Sequence, residues 1–283
     1  MLLSCGCPNR PSRLNSPKDW SIILNMSALK RSPRNVRSPR STAAMVKHLP
    51  SAVAALLQSG KGPAKLTKVD TPDGVKAVPL ADWLWDKSQV QAQAALDTDF
   101  IQGIKSGLLD PTNYGGYTVQ DAVYCDNATD YFGIAEMKAC DKDLKEFIAA
   151  RIKSYAEYTE IMFKEWYIQD PKGIAMGDAA ASYSKFELGV ATKEEPFYLL
   201  IAMLPCEKLW GWLAQEIKSG INDTNVYSFW IQDNLPGSHT LANYIDENAE
   251  KFKVDLKKAM KIYKDGMQCE VDFFTSGTIE EVN

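Results

Sequence analysis

The run from Tyr198 to Trp210 (YLLIAMLPCEKLW) constrains the chain more than any other. Leu199, Met203, Cys206, Leu209, Trp210 and Leu213 recur at three- and four-residue spacing, which predicts a helix with one face buried. Pro205 sits in the middle of it. A proline has no backbone N–H, and its ring crowds the carbonyl four residues back. The helix is therefore expected to kink or loosen one residue before Cys206. That would aim the thiol into a cavity. The same stretch also fits a plainer reading, in which Cys206 is a small core residue, since free cysteine is among the most buried types.

Helical periodicity dominates from Leu80 onward. Leu80–Leu96 is expected to continue into Asp99–Ser106. Pro111–Phe132 follows, with Asp110 as N-cap and Pro111 in the first turn. Asp141–Trp166 reads as a long amphipathic helix with Leu144, Ile148, Ile152, Tyr155, Tyr158, Met162 and Trp166 on its stripe. Asp178–Leu188, Pro196–Ile217, Asn225–Ile231 and Leu241–Phe274, the last broken near Phe252, complete the set. Ser51–Gln58 is a short helix candidate and Pro72-Asp73-Gly74 a turn. Strand-like alternation is absent, so the fold class is all-α, a single helical domain over residues 46–283.

Residues 1–45 are rich in Ser, Pro and Arg and cannot bury a core. Residues 1–47 hold nine Lys and Arg against one acid, Asp19; the rest of the chain holds 23 basic and 35 acidic residues. The basic leader reads as a transit-like segment, a regulatory tail, or a stretch upstream of a start at Met45 or Met26. The expected location is cytoplasmic, or organellar if the leader targets the chain. An acidic body argues against a nucleic-acid partner. No run approaches the roughly 18 consecutive apolar residues of a membrane span, so no membrane partner is expected.

The six cysteines have no C-x-x-C pair, which disfavours a structural zinc site, and their scatter reads as free thiols in a reducing compartment. The two histidines, His48 and His239, have no Glu-x-x-His context, so neither a His-ligated metal nor serine–histidine chemistry is expected.

Four stretches, in order, resemble the TenA family, also called thiaminase II. Phe100–Leu109 (FIQGIKSGLL) is similar to the family's Phe-x-Gln-Gly-Ile-x-x-Gly-x-Leu helix end. Tyr114–Tyr124 (YGGYTVQDAVY) is similar to its Tyr-x-x-Gln-Asp-x-x-Tyr helix. Leu204-Pro205-Cys206 resembles its nucleophile helix, with Tyr183 upstream where the family places an active-site tyrosine. Glu270-Val271-Asp272-Phe273-Phe274 resembles its C-terminal Glu-x-x-Phe-Trp. The resemblance implies a haem-oxygenase-like helical fold, no cofactor, no metal, and self-association as a tetramer.

It also implies cofactor-free C–N hydrolysis of an aminopyrimidine derived from thiamin, in thiamin salvage. Cys206 would be the nucleophile, Glu270 the acid and base, and Asp121 the group holding the ring. Tyr124, Tyr183, Tyr117, Trp210 and Phe274 would wall the substrate. The spacing alone places Tyr114, Tyr117, Asp121 and Tyr124 on one helix face, and Tyr263, Met267, Glu270 and Phe274 on another. A carboxylate among apolar neighbours should have a raised pKa, which suits Glu270 to proton transfer near neutrality. One departure stands out. The family's third tyrosine falls at Asn234, followed by Leu235-Pro236-Gly237, and the stretch around Cys140 and Lys142–Lys145 reads as an insert. The alternative is thus a relative that binds or transforms a different small aromatic ligand without hydrolysing aminopyrimidines.

Overall fold

The computed structural model describes residues 68–69, 78–235 and 237–278. The basic leader, His48, Ser51–Gln58 and the Pro72-Asp73-Gly74 turn lie outside the described residues.

Ten α-helices are described: α1 Leu80–Asp86, α2 Gln89–Leu96, α3 Asp99–Ser106, α4 Pro111–Lys138, α5 Lys142–Glu165, α6 Asp178–Lys193, α7 Pro196–Glu216, α8 Ser228–Asn234, α9 Thr240–Asn248 and α10 Leu256–Ser276. Single 3-10 turns lie at Pro171–Gly173 and Lys218–Gly220. A two-residue antiparallel pair, β1 Lys68–Val69 against β2 Val78–Pro79, joins Val69 to Val78 in register.

Side-chain caps set several helix starts. The Asp110 carboxylate accepts from Thr112 N at 2.7 Å, Asp141 from Leu144 N at 3.0 Å, and Asp255 from Lys257 N at 2.9 Å. The Leu80–Ser106 stretch is three helices rather than one. The first ends at Lys87–Ser88, where Ser88 N turns back to Trp85 O, and Thr98 stops the second by donating its hydroxyl to Ala95 O at 2.7 Å while capping α3. Other ends move outward: α4 runs six residues past Phe132 to Lys138, and α6 runs to Lys193. Lys138 Nζ closes the end of α6 by donating to Ala191 O and Thr192 O. The stretch around Cys140 is the tight α4–α5 turn, where Asp141 caps α5 at once. The expected Asn225–Ile231 helix shifts to Ser228–Asn234, because Asn225 is a buried loop anchor; its Nδ2 donates to Ile104 O and Gly220 O, and its Oδ1 accepts from Tyr227 N. The break near Phe252 separates α9 from α10.

Helix α7 is the centre of the domain. Leu199 through Leu204 are fully buried in succession, which an amphipathic surface helix cannot show. Its length and apolar content would also suffice to cross a bilayer, but two-thirds of the window is buried inside the fold, as in a core helix. Pro205 lies within α7 and the helix continues past it to Glu216. Around it, α4 and α5 form an antiparallel pair, with Asp121 facing Tyr158 and Gly115 facing Trp166. Helix α10 runs alongside α7 in the same direction: Asp255 meets Tyr198, Gly266 meets Ala202 and Pro205, and Glu270 meets Trp210. Glycine is required at position 266, since a Cβ there would lie 2.9 Å from Pro205 Cγ and 3.0 Å from Ala202 O. That close approach brings the next turn of α10, with Glu270, against the turn of α7 that carries Cys206 and Trp210.

Candidate functional site

A cavity of about 190 Å³ opens between α4, α5, α7 and the segment from α8 to α9. Its lining is mostly apolar, with a few polar groups converging on it. This volume exceeds the roughly 150 Å³ that suffices to admit a benzene-sized ring. Asp121 and Cys125 reach it from α4, Tyr155 and Tyr158 from α5, and Cys206 and Trp210 from α7.

Asp121 is buried, its Oδ2 accepting from the Tyr158 hydroxyl at 3.2 Å and its Oδ1 lying 4.0 Å from Cys125 Sγ. Burial pushes its carboxyl up to about 7, against the smaller opposing pull of the Tyr158 hydrogen bond. Cys206 is partly exposed toward the cavity. Burial in low dielectric pushes its thiol well up, and among its charged neighbours Glu270 adds most to that shift, followed by Asp121. It rests as a thiol, not a thiolate, and becomes nucleophilic only by giving its proton to a base.

Glu270 stands one layer behind the cavity wall, 2% exposed. Tyr183 donates to its Oε1 at 2.9 Å and the Trp210 indole N–H to its Oε2 at 3.2 Å. Burial raises its carboxyl to about 7, with these two hydrogen bonds pulling it down by less. The Trp210 ring therefore touches both the cavity and the carboxylate.

The aromatic residues expected to wall a substrate mostly back the wall instead. The Tyr117 ring lies in a cluster with Phe100, Phe273 and Phe274, at centroid distances of 4.2, 4.7 and 5.6 Å. Its hydroxyl has no hydrogen-bond partner. The Tyr124 ring leans on Tyr183 at 4.7 Å, and its hydroxyl donates to Glu187 Oε1 at 2.6 Å rather than facing the cavity. Asn234, at the end of α8, does line the cavity, but one of its amide hydrogens is spent on Trp230 O at 2.8 Å. Its Oδ1 remains as an acceptor, where a tyrosine would supply a hydroxyl.

Several residues here escaped the sequence reading. Tyr158 and Tyr155 were legible only as stripe residues of an amphipathic helix. Glu187 is fully buried and its carboxyl is pushed well up by burial. Glu207, next to Cys206, caps α9: its carboxylate accepts from Leu241 N at 2.9 Å, Ala242 N at 3.0 Å and the Ser238 hydroxyl at 2.8 Å. Arg151 was the most detectable of these, being a cation on the apolar stripe of α5. Among the described residues no group of three or more His, Cys, Asp and Glu side chains is arranged to hold a metal ion. His239 precedes α9 as its N-cap residue.

The sequence profile of the TENA/THI-4/PQQC family matches residues 90–278, well over half of the chain, and spans every polar group just described. The chain belongs to the TENA/THI-4/PQQC family. Among individual relatives, it is 23% identical over 162 residues to the aminopyrimidine aminohydrolase of Halalkalibacterium halodurans, covering 53% of this chain and 70% of that protein. A TenA homologue from P. horikoshii OT3 superposes with a TM-score of 0.60 at 21% identity, covering 71% of this chain and 98% of that one. A TenA family transcription regulator from Silicibacter sp. TM1040 gives 0.62 at 16% identity, over 70% and 96%. The fold is thus the haem-oxygenase-like helical fold of TenA proteins.

Proposed function

We propose that this TenA member hydrolyses the C–N bond at the aminomethyl carbon of an aminopyrimidine, converting the amine to an alcohol and releasing ammonia or a substituted amine. The observation that carries this reading is a partly exposed thiol and one buried carboxyl, Asp121, lining one small cavity, with a second buried carboxyl, Glu270, held directly behind the Trp210 wall, both carboxyls raised to about 7. The likeness to the H. halodurans aminopyrimidine aminohydrolase supports it at family level.

Asp121 holds the heterocycle. With its carboxyl near 7 it supplies an O–H donor and a carbonyl acceptor together, which matches the ring nitrogen and exocyclic amine of an aminopyrimidine edge. Tyr158 fixes the orientation of that carboxyl. The Cys206 sulfur adds to a ring carbon while its proton passes to Glu270. Glu270 then protonates the amine, and the C–N bond breaks to leave an exocyclic methylene on the sulfur-bound ring. Glu270 next takes a proton from water as the hydroxyl adds to the methylene. The S–C bond breaks, the proton returns to sulfur, and the atoms balance as amine plus water giving alcohol plus ammonia. Trp210 screens Glu270 from the cavity, so the indole must shift for each transfer.

Incubation with the aminomethylpyrimidine and measurement of ammonia tests this. Turnover by wild type that is lost in Cys206→Ala is expected; no turnover, or equal turnover by both, overturns it.

Asn234 favours a second reading. Without a hydroxyl at that position, the thiol lacks one group that would stabilise it on ionisation. In a protein that only binds the ring, the pyrimidine would raise the melting temperature without releasing ammonia. Hydrolysis gained by Asn234→Tyr would support that reading, and failure to gain any would count against it.

A further inference from the structure

Arg151 is the only cation among the described residues lining the cavity, and the hydrolytic scheme gives it no task. It is half-buried, its guanidinium carbon lying 5.4 Å from the Phe147 ring centroid. Its Nε is buried with no hydrogen-bond partner, and no described carboxylate forms an ion pair with it. Glu207 is the carboxylate whose charge acts on it, but that group is already engaged by two backbone N–H groups and the Ser238 hydroxyl. A partly desolvated guanidinium with an unused donor is costly unless an anion completes it.

Position gives that anion an address. Arg151, Ser154, Tyr155 and Tyr158 line the cavity from one face of α5. Arg151 and Tyr158 are seven residues apart, about 10 Å along the helix axis. Tyr158 marks the Asp121 end. Arg151 marks the other end, where Phe147 stacks on Tyr244 of α9 at 3.8 Å. A ring held at Asp121 would therefore point a substituent along α5 toward Arg151.

We propose that Arg151 forms a carboxylate subsite, so that the preferred substrate is an aminomethylpyrimidine whose leaving amine bears a short carboxylate-terminated chain. The planar guanidinium suits bidentate pairing with a carboxylate. The cavity of about 190 Å³ fits one ring and a short tail. A cationic leaving group such as a thiazolium is disfavoured beside Arg151. The proposal rests on the hydrolase reading for its pyrimidine end. The reaction is the one described above, with the carboxylate leaving on its amine.

The test compares an N-carboxymethyl aminomethylpyrimidine with its neutral N-carbamoylmethyl isostere. Both are assayed for hydrolysis and for binding by calorimetry, on wild type, Arg151→Gln and Arg151→Lys. Wild type is expected to favour the carboxylate by at least roughly tenfold in kcat/KM or in Kd, the scale of one charge-assisted hydrogen bond. That ratio should fall toward one in Arg151→Gln and be kept only in part in Arg151→Lys, which retains the charge but not the bidentate fork. A wild-type ratio near one, or an unchanged ratio in Arg151→Gln, overturns the subsite while leaving hydrolysis intact. Carboxylate-selective binding without turnover keeps the subsite and removes the hydrolase reading. Binding of neither compound removes both.

Discussion

Gly266 lies beneath Pro205, so close that a Cβ on it would stand 2.9 Å from the proline Cγ. The proline that interrupts the hydrogen-bond ladder of α7 is thus also the surface on which α10 rests. Gly266→Ala should force the two helices apart or distort both, at a cost of about 1–3 kcal/mol. Because Glu270 is one turn further along α10, the same change should lower kcat, by roughly 10²-fold for a displacement near 1 Å. Urea unfolding and steady-state kinetics on one preparation would measure both. Loss of stability without loss of rate would show that the Glu270 position does not depend on this contact.

The raised carboxyls give a pH signature. Burial moves Asp121 from 3.8 to about 7 and Glu270 from 4.5 to about 7. Between those values the folded chain binds protons that the unfolded chain has released. Their contribution to stability is complete below about pH 4 and is lost as pH rises through 7. Asp121→Asn and Glu270→Gln remove the titration. Each variant should therefore gain melting temperature relative to wild type at pH 8, and gain less or lose at pH 5. A difference independent of pH would contradict the assignment of raised values.

Glu187 depends on Tyr124. The tyrosine hydroxyl is the only hydrogen-bond donor to this fully buried carboxyl among the described residues, and Oε2 already lacks a partner. Tyr124→Phe should cost about 1–3 kcal/mol by leaving Glu187 wholly unpaired. The double variant Tyr124→Phe/Glu187→Met should recover much of that loss, since an apolar pair needs no donor. Equal unfolding midpoints for the single and double variants would argue against it.

Much of this fold was legible in the chain. Periodicity located the helices, and Asp110 and the Phe252 break were read directly because capping and breaking are local chemistry. The errors share a cause. Asn225 stands at the start of an apolar run, yet its amide also reaches carbonyls more than a hundred residues away, at Ile104 and Lys105, which no local pattern could announce. Leu80–Ser106 reads as continuous because Ser88 and Thr98 are weak breakers in sequence; Thr98 acts through its hydroxyl bond to Ala95 O, whereas the Ser88 hydroxyl has no partner. At the site, Asp121, Cys206 and Glu270 are singled out by resemblance. The layering behind the wall, with Tyr124 turned to Glu187 and Glu270 screened by Trp210, depends on which way side chains turn between packed helices, and spacing does not encode that.

The proposed hydrolysis depends most on sulfur acting as the nucleophile. Rapid acid quench of wild type during turnover of the aminomethylpyrimidine, followed by intact-mass and peptide analysis, tests this directly. Sulfur attack on the ring predicts an adduct in which Cys206 is bonded to a ring carbon of the methylene-bearing pyrimidine, which forms and decays within the lifetime of turnover and is absent from Cys206→Ser, which is inactive. Hydrolysis by Cys206→Ser at the wild-type rate, with no adduct on either protein, would contradict it.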